Sequence, residues 1–115
     1  MQSKAPGPTK AEKARMSRIL ELGCVACRMD GHESIYPVEV HHLLDGGVRI
    51  GHAASVPVCK WHHRGVPPDG LNQRGATELC GPSLALDGRA FAEHYGDDDS
   101  LLAFTERLLK ENPAG

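Results

Sequence analysis

Two short motifs constrain this chain more than anything else in it. Cys24-Val25-Ala26-Cys27 and Cys59-Lys60-Trp61-His62 each set two soft donors three positions apart, with 31 residues between the halves. A two-residue spacer lets both side chains of a tight turn aim at one point, and four such donors complete a tetrahedral site. The expectation is a structural Zn²⁺ at Cys24, Cys27, Cys59 and His62. The competing reading is four reduced side chains packed in a core. A staple is needed on other grounds. The chain has 115 residues and only 4% aromatic ones, so its core is thin. The N-terminus has no charged-then-apolar segment, which points to the cytosol, and there cysteines serve as metal ligands more often than as disulfides. No run of 18 apolar residues occurs, so no membrane span is expected. Cys80 has no partner at ligand spacing and reads as a free thiol.

Around these motifs the chain divides simply. Residues 1–8 hold two prolines and a glycine and read as a flexible tail, and residues 9–112 as one domain. Thr9 sits three before Glu12, the spacing of a capping box. A helix follows with Ala11, Ala14, Ile19, Leu20 and Leu22 on its apolar side, closed by Gly23. The region Ile35 to Leu44 reads as a strand running into His41-His42, and Ser55 to Val58 as a second strand. Asp45-Gly46-Gly47 between them is a turn signal. Residues 65–82 are rich in Gly and Pro and read as a long loop. Asp87 caps a helix from Gly88 to Tyr95, ended by Gly96. Asp97-Asp98-Asp99-Ser100 open a last amphipathic helix, with acids where the macrodipole favours them.

Histidine is the second concentration of chemistry. Five of the seven fall between positions 41 and 63: His41, His42, His52, His62 and His63. Zinc accounts for one. Imidazole can ligate a divalent cation or act as a base near neutral pH, and either use suits a hydrolytic site. Adjacent strand residues face opposite ways, so His41 and His42 share a cleft only if the strand twists or bulges there.

The order Cys-x-x-Cys, His-His, Cys-x-x-His-His resembles the HNH endonucleases, whose active site is a ββα-metal motif. More narrowly, three stretches resemble the Ref-type, RecA-dependent nucleases of temperate phages and prophages. They are Cys24 to Gly31; His41-His42-Leu43-Leu44-Asp45-Gly46-Gly47 with Val56 to Arg64; and Gly81-Pro82-Ser83 leading to Phe91 and Tyr95-Gly96. Together they span about residues 15–110. The resemblance implies a small α+β fold with a ββα-metal core and flanking N- and C-terminal helices. It implies His42 as the general base that polarises water, with His41 and His63 on a catalytic divalent ion, Mg²⁺ or another. The HNH pattern has an Asn in its middle that orients the base. No Asn lies in this segment, and His52 stands nearest the place. Three roles stay open to His52: orienting His42, contacting phosphate, or facing solvent. The implied partners are DNA and a RecA filament on single-stranded DNA, and the implied setting is a phage or prophage protein in the bacterial cytoplasm.

Charge fits a nucleic-acid partner only locally. Net charge is −2, yet residues 1–28 carry a balance of +4 and the stretch from Gly75 onward a balance of −5. The basic end could approach a polyanion, or the two ends are solvated helix faces of opposite sign. Arg49, Lys60 and Arg64 flank the expected site and are candidate contacts to the DNA backbone, with plain surface solvation as the alternative. Asp45 could lend an oxygen to the cation or be an ordinary turn residue. Trp61, between two zinc donors, is expected in the core. The rival to a nuclease is a zinc-stapled DNA- or protein-binding module without catalysis; the surplus of histidine beyond the zinc quota weighs against it.

Overall fold

The structure, a computed structural model, describes residues 8–45, 48–49 and 54–112, with the side chains of residues 44, 45, 48 and 49 outside the description. The described elements follow in the order α1 (Lys10–Leu22), α2 (Val25–Met29), β1 (Val38–His42), β2 (Leu44–Asp45), β3 (Val48–Arg49), β4 (Ser55–Cys59), α3 (Lys60–Arg64), α4 (Gln73–Cys80), α5 (Gly88–Tyr95) and α6 (Asp98–Glu111). The fold is α+β.

At its centre β1 and β4 pair antiparallel, from Val38 opposite Cys59 to His42 opposite Ser55. Helix α3 starts one residue after β4, so strand, strand and helix form a ββα unit. Between the strands, β2 and β3 pair with Asp45 opposite Val48, and Gly46 and Gly47 of the expected turn lie outside the described residues. All five residues of β4 are buried. Alternation then defines two faces. Glu39 and His41 share one with Val58 and Val56; Val38, Val40 and His42 share the other with Cys59, Pro57 and Ser55.

The flanking helices close over this unit. In α6, Leu101, Thr105, Leu108 and Leu109 are buried at helical spacing and form its inner stripe. In α5 the buried pair is Phe91 and Tyr95, four apart. Trp61 is fully buried, as its sequence position suggests, and its indole N–H donates to Gly81 O at 3.0 Å. Burial of a ring this size contributes roughly 2–3 kcal/mol. Helix α1 has the predicted Thr9–Glu12 capping box and ends at Gly23, whose φ of +83° suits glycine.

Three expectations need correction. The inner side of α1 is not its alanines: Ala11 and Ala14 are exposed and only Ile19 is buried. Arginines do the joining instead. Arg15 bonds Glu106 of α6 through two of its nitrogens and, on β4, donates to Ser55 O and Oγ at 3.1 and 2.9 Å. Arg18 donates to Leu109 O at 3.1 Å, near the negative end of α6. Consequently two of the six basic side chains of residues 1–28 are spent on the acidic helix rather than on a basic face. Finally, the stretch 65–82 is not one loop. Asn72 accepts from Gly75 N at 2.8 Å and caps α4, whose eight residues hide between Gly- and Pro-rich flanks. A glycine inside so short a helix, costing about 1 kcal/mol against alanine, masks it further.

Replacing Arg15 with Ala should destabilise the protein by about 1–3 kcal/mol, since a largely buried guanidinium loses its bonds to Ser55 and to the half-exposed Glu106. Glu106→Ala should cost less, because Arg15 keeps Ser55. Urea unfolding of both variants and the double variant would show this order and a coupling between the two positions.

Candidate metal centre and active site

The two half-sites are built alike. Cys24 is the N-cap of α2 and its sulfur accepts from Cys27 N at 3.5 Å; Cys59 is the N-cap of α3 and its sulfur accepts from His62 N at 3.4 Å. A two-residue spacer thus equals the step from cap to third helical residue, where the two side chains meet over the first turn. The four donor atoms lie within 4.8 Å of one another and all four residues are buried. The Nδ1 of His62 stands 3.5, 3.6 and 3.2 Å from the sulfurs of Cys24, Cys27 and Cys59.

The ring of His62 is oriented from behind. Its Nε2–H donates to Cys80 O at 2.7 Å, with Tyr95 Oη 3.1 Å away, so Nδ1 is the nitrogen turned toward the sulfurs. Tyr95 in turn donates to Asp30 Oδ2 at 2.6 Å, and His94 Nε2 reaches Asp30 Oδ1 at 3.1 Å. Burial and the Asp30 carboxylate both raise the Tyr95 phenol above its ordinary range, so it stays a proton donor. The thiols share charge unequally. Contacts from Cys27 and Cys59 hold the Cys24 thiol well below the usual thiol range, while contacts from Cys24 and Cys59, with burial, raise the Cys27 thiol. Burial works to lower the His62 imidazole, but the sulfurs of Cys24 and Cys59 outweigh it and push it up to about 10. Three sulfurs and one imidazole nitrogen in a closed, buried set match the donors of a structural zinc site. The cluster could hold zinc, which would supply the positive charge these donors share.

The remaining histidines separate by strand alternation. His41 meets His63 of α3 edge to face, ring centroids 5.0 Å apart. Burial, then the His63 ring, lowers the His41 pKa, which keeps its imidazole neutral at neutral pH. His42 lies on the other face of β1, opposite Ser55. His52 and the side chain of Arg49 are outside the described residues. Lys60 opens α3, half-buried, with its backbone N–H on Pro37 O at 2.8 Å. Arg64 is held by a carboxylate that sequence reasoning passed over. Glu39 Oε1 accepts from His63 Nδ1 at 2.8 Å, and both its oxygens take Arg64 Nε at 2.8 Å. Arg64, then burial in opposition, then His63 set the Glu39 pKa, with a net lowering. The available signal for Glu39 was its position two before His41 on a strand, which puts both on one face. For Asp30, Tyr95 and the Cys80 carbonyl there was no comparable signal, because their meeting depends on how α4 and α5 pack over the metal cluster.

A small α+β fold with one closed donor cluster and a facing pair of histidines on a ββα unit defines a metal-site protein with surplus imidazole. Over residues 8–110 the chain matches the family model described as "Recombination enhancement, RecA-dependent nuclease". It belongs to that family, whose members are nucleases and therefore enzymes, and the matched span runs from the start of α1 into the last turn of α6. No helix among the described residues is long and apolar enough to cross a membrane.

Cys27→Ser should abolish stoichiometric zinc binding and with it the cooperative unfolding transition, because structural zinc contributes folding free energy directly. Elemental analysis of the purified variant beside the wild type, followed by thermal melts with and without chelator, checks this.

Proposed function

We propose that this chain is a metal-dependent DNA endonuclease of the HNH type, hydrolysing phosphodiester bonds in recombination directed by RecA filaments on single-stranded DNA. The observation that carries the reading is the pairing of His41 and His63. One comes from a strand and one from the helix of a ββα unit, next to a Cys₃His cluster, in a chain of a nuclease family. Together these two imidazoles would hold the catalytic divalent ion, with zinc at Cys24, Cys27, Cys59 and His62 keeping strand and helix in register. When bound, that ion supplies stabilisation of the charge that gathers on phosphate and leaving oxygen.

His42 is the base in this reading. It follows His41 in the chain, on the opposite face of β1, and as the HNH resemblance implies it would take the proton from the attacking water. Two neutral imidazoles alone make a poor first shell for Mg²⁺, which prefers oxygen, so phosphate and water would complete it, or a softer ion would be preferred. Lys60 and Arg49 supply charge for the DNA backbone, and Arg64 does so once freed from Glu39. His52 keeps the place of the orienting residue. The resemblance to phage-borne nucleases supports a phage or prophage protein acting in the host cytoplasm.

The roles separate by experiment. His42→Ala should lower plasmid cleavage by at least ~100-fold while both metals still bind, whereas His41→Ala should lose the second metal as well. An unchanged rate in His42→Ala would reject that residue as the base. If zinc alone binds and no cleavage appears with Mg²⁺, Mn²⁺ or Ni²⁺, a non-catalytic binding module is the better description. RecA dependence is read from a displaced-strand substrate: cleavage should need RecA, and equal rates with and without it would reject the dependence.

A further inference from the structure

We propose that Glu39 is a positioning residue for the candidate catalytic pair, fixing the ring of His63 so that Nε2 is its lone-pair nitrogen. This rests on the reading of His41 and His63 as ligands of the catalytic ion. Glu39 and His41 are two apart in β1 and so share the face that α3 covers. From there one carboxylate reaches two consecutive residues of α3. Its Oε1 takes His63 Nδ1 at 2.8 Å, and Arg64 grips it from the far side, Nε 2.8 Å from each oxygen and Nη2 2.6 Å from Oε2. The carboxylate is only 23% exposed, so it has few competing water partners.

The chemistry is a matter of tautomers. A neutral imidazole carries its proton on one nitrogen, and a carboxylate accepting at Nδ1 settles which. The other nitrogen, Nε2, then presents a lone pair. His62 is handled in the opposite sense: a carbonyl accepts at Nε2 and frees Nδ1. Two adjacent histidines of one short helix thus present opposite nitrogens, each set by a different acceptor. Arg64 acts one step further out. By neutralising and orienting Glu39, it makes a buried-side carboxylate tolerable beside an imidazole pair.

The test uses the zinc-loaded protein at a pH above the imidazole range, with Glu39→Ala, the near-isosteric Glu39→Gln and Arg64→Ala, each checked for zinc content and melting. Ring ¹⁵N spectra should show His63 protonated at Nδ1 in the wild type and redistributed toward the Nε2–H tautomer in Glu39→Ala. Mn²⁺ titration should show a second site weakened roughly 10–100-fold in Glu39→Ala, less in Glu39→Gln, whose amide oxygen still accepts, with zinc content unchanged throughout. Arg64→Ala should leave the tautomer in place. An unaltered His63 tautomer and unaltered Mn²⁺ affinity in Glu39→Ala would overturn the inference while leaving the metal pair standing. A tautomer shift in Glu39→Ala, with no Mn²⁺ uptake even by the wild type, would support the positioning by Glu39 and overturn the ion-binding role of His41 and His63.

Discussion

Everything in this fold is arranged around the convergence of three sulfurs and one imidazole. Cys24 caps α2 and Cys27 lies in its first turn, and Cys59 and His62 stand likewise at the junction of β4 and α3. Tying these points together sets α2 against β4 and fixes the start of α3 relative to the strand pair. The chain has five aromatic residues in 115, too few to achieve this by ring packing alone. Three of the five are nonetheless buried around the cluster: Trp61 between its donors, and Phe91 and Tyr95 stacked toward His62. Polar satisfaction and apolar packing therefore meet at one place, where the Cys80 carbonyl and Tyr95 hydroxyl orient His62 from behind.

The consequence for function is mechanical. His41 is carried by β1 and His63 by α3, so their separation is set by how rigidly helix and strand are joined. The Cys₃His cluster joins them on one side, through β4. Glu39 joins them on the other, bonding α3 from β1. The candidate pair is thereby clamped between the Cys₃His cluster and an ion pair, and few of its degrees of freedom remain for substrate binding to remove. On the outside, Arg15 and Arg18 clamp α1 to α6 and β4.

Much of this was legible in the residues. Spacing alone gave the four residues that converge in one cluster, because Cys-x-x-Cys and Cys-x-x-His equal the step from helix cap to third residue, a local geometry. Capping signals gave α1, α5 and α6 for the same reason: Thr9, Asp87 and Asp97 act on amides three residues away. Helix α4 was missed although Asn72 caps it, since Gly75 and the surrounding prolines gave the stretch the composition of a loop. The apolar side of α1 was misassigned because alanines satisfy a periodicity test without needing burial. The arginines that join α1 to α6 looked like a basic face; only the position of Glu106 and Leu109 made them partners.

The sequence by itself determined what is local: which residues can share one cation, where helices begin, and that histidine exceeds the number a zinc site uses. These follow from short-range geometry, which repeats wherever the same spacing occurs. Tertiary structure alone decided what requires distant segments to meet. It set His41, not His42, against His63, because strand alternation and the docking of α3 choose the face. It gave Glu39 two partners 24 and 25 residues away. It also brought Tyr95 and Asp30, 65 residues apart, behind the ring of His62. Such contacts depend on packing over the whole core, and no spacing rule encodes them.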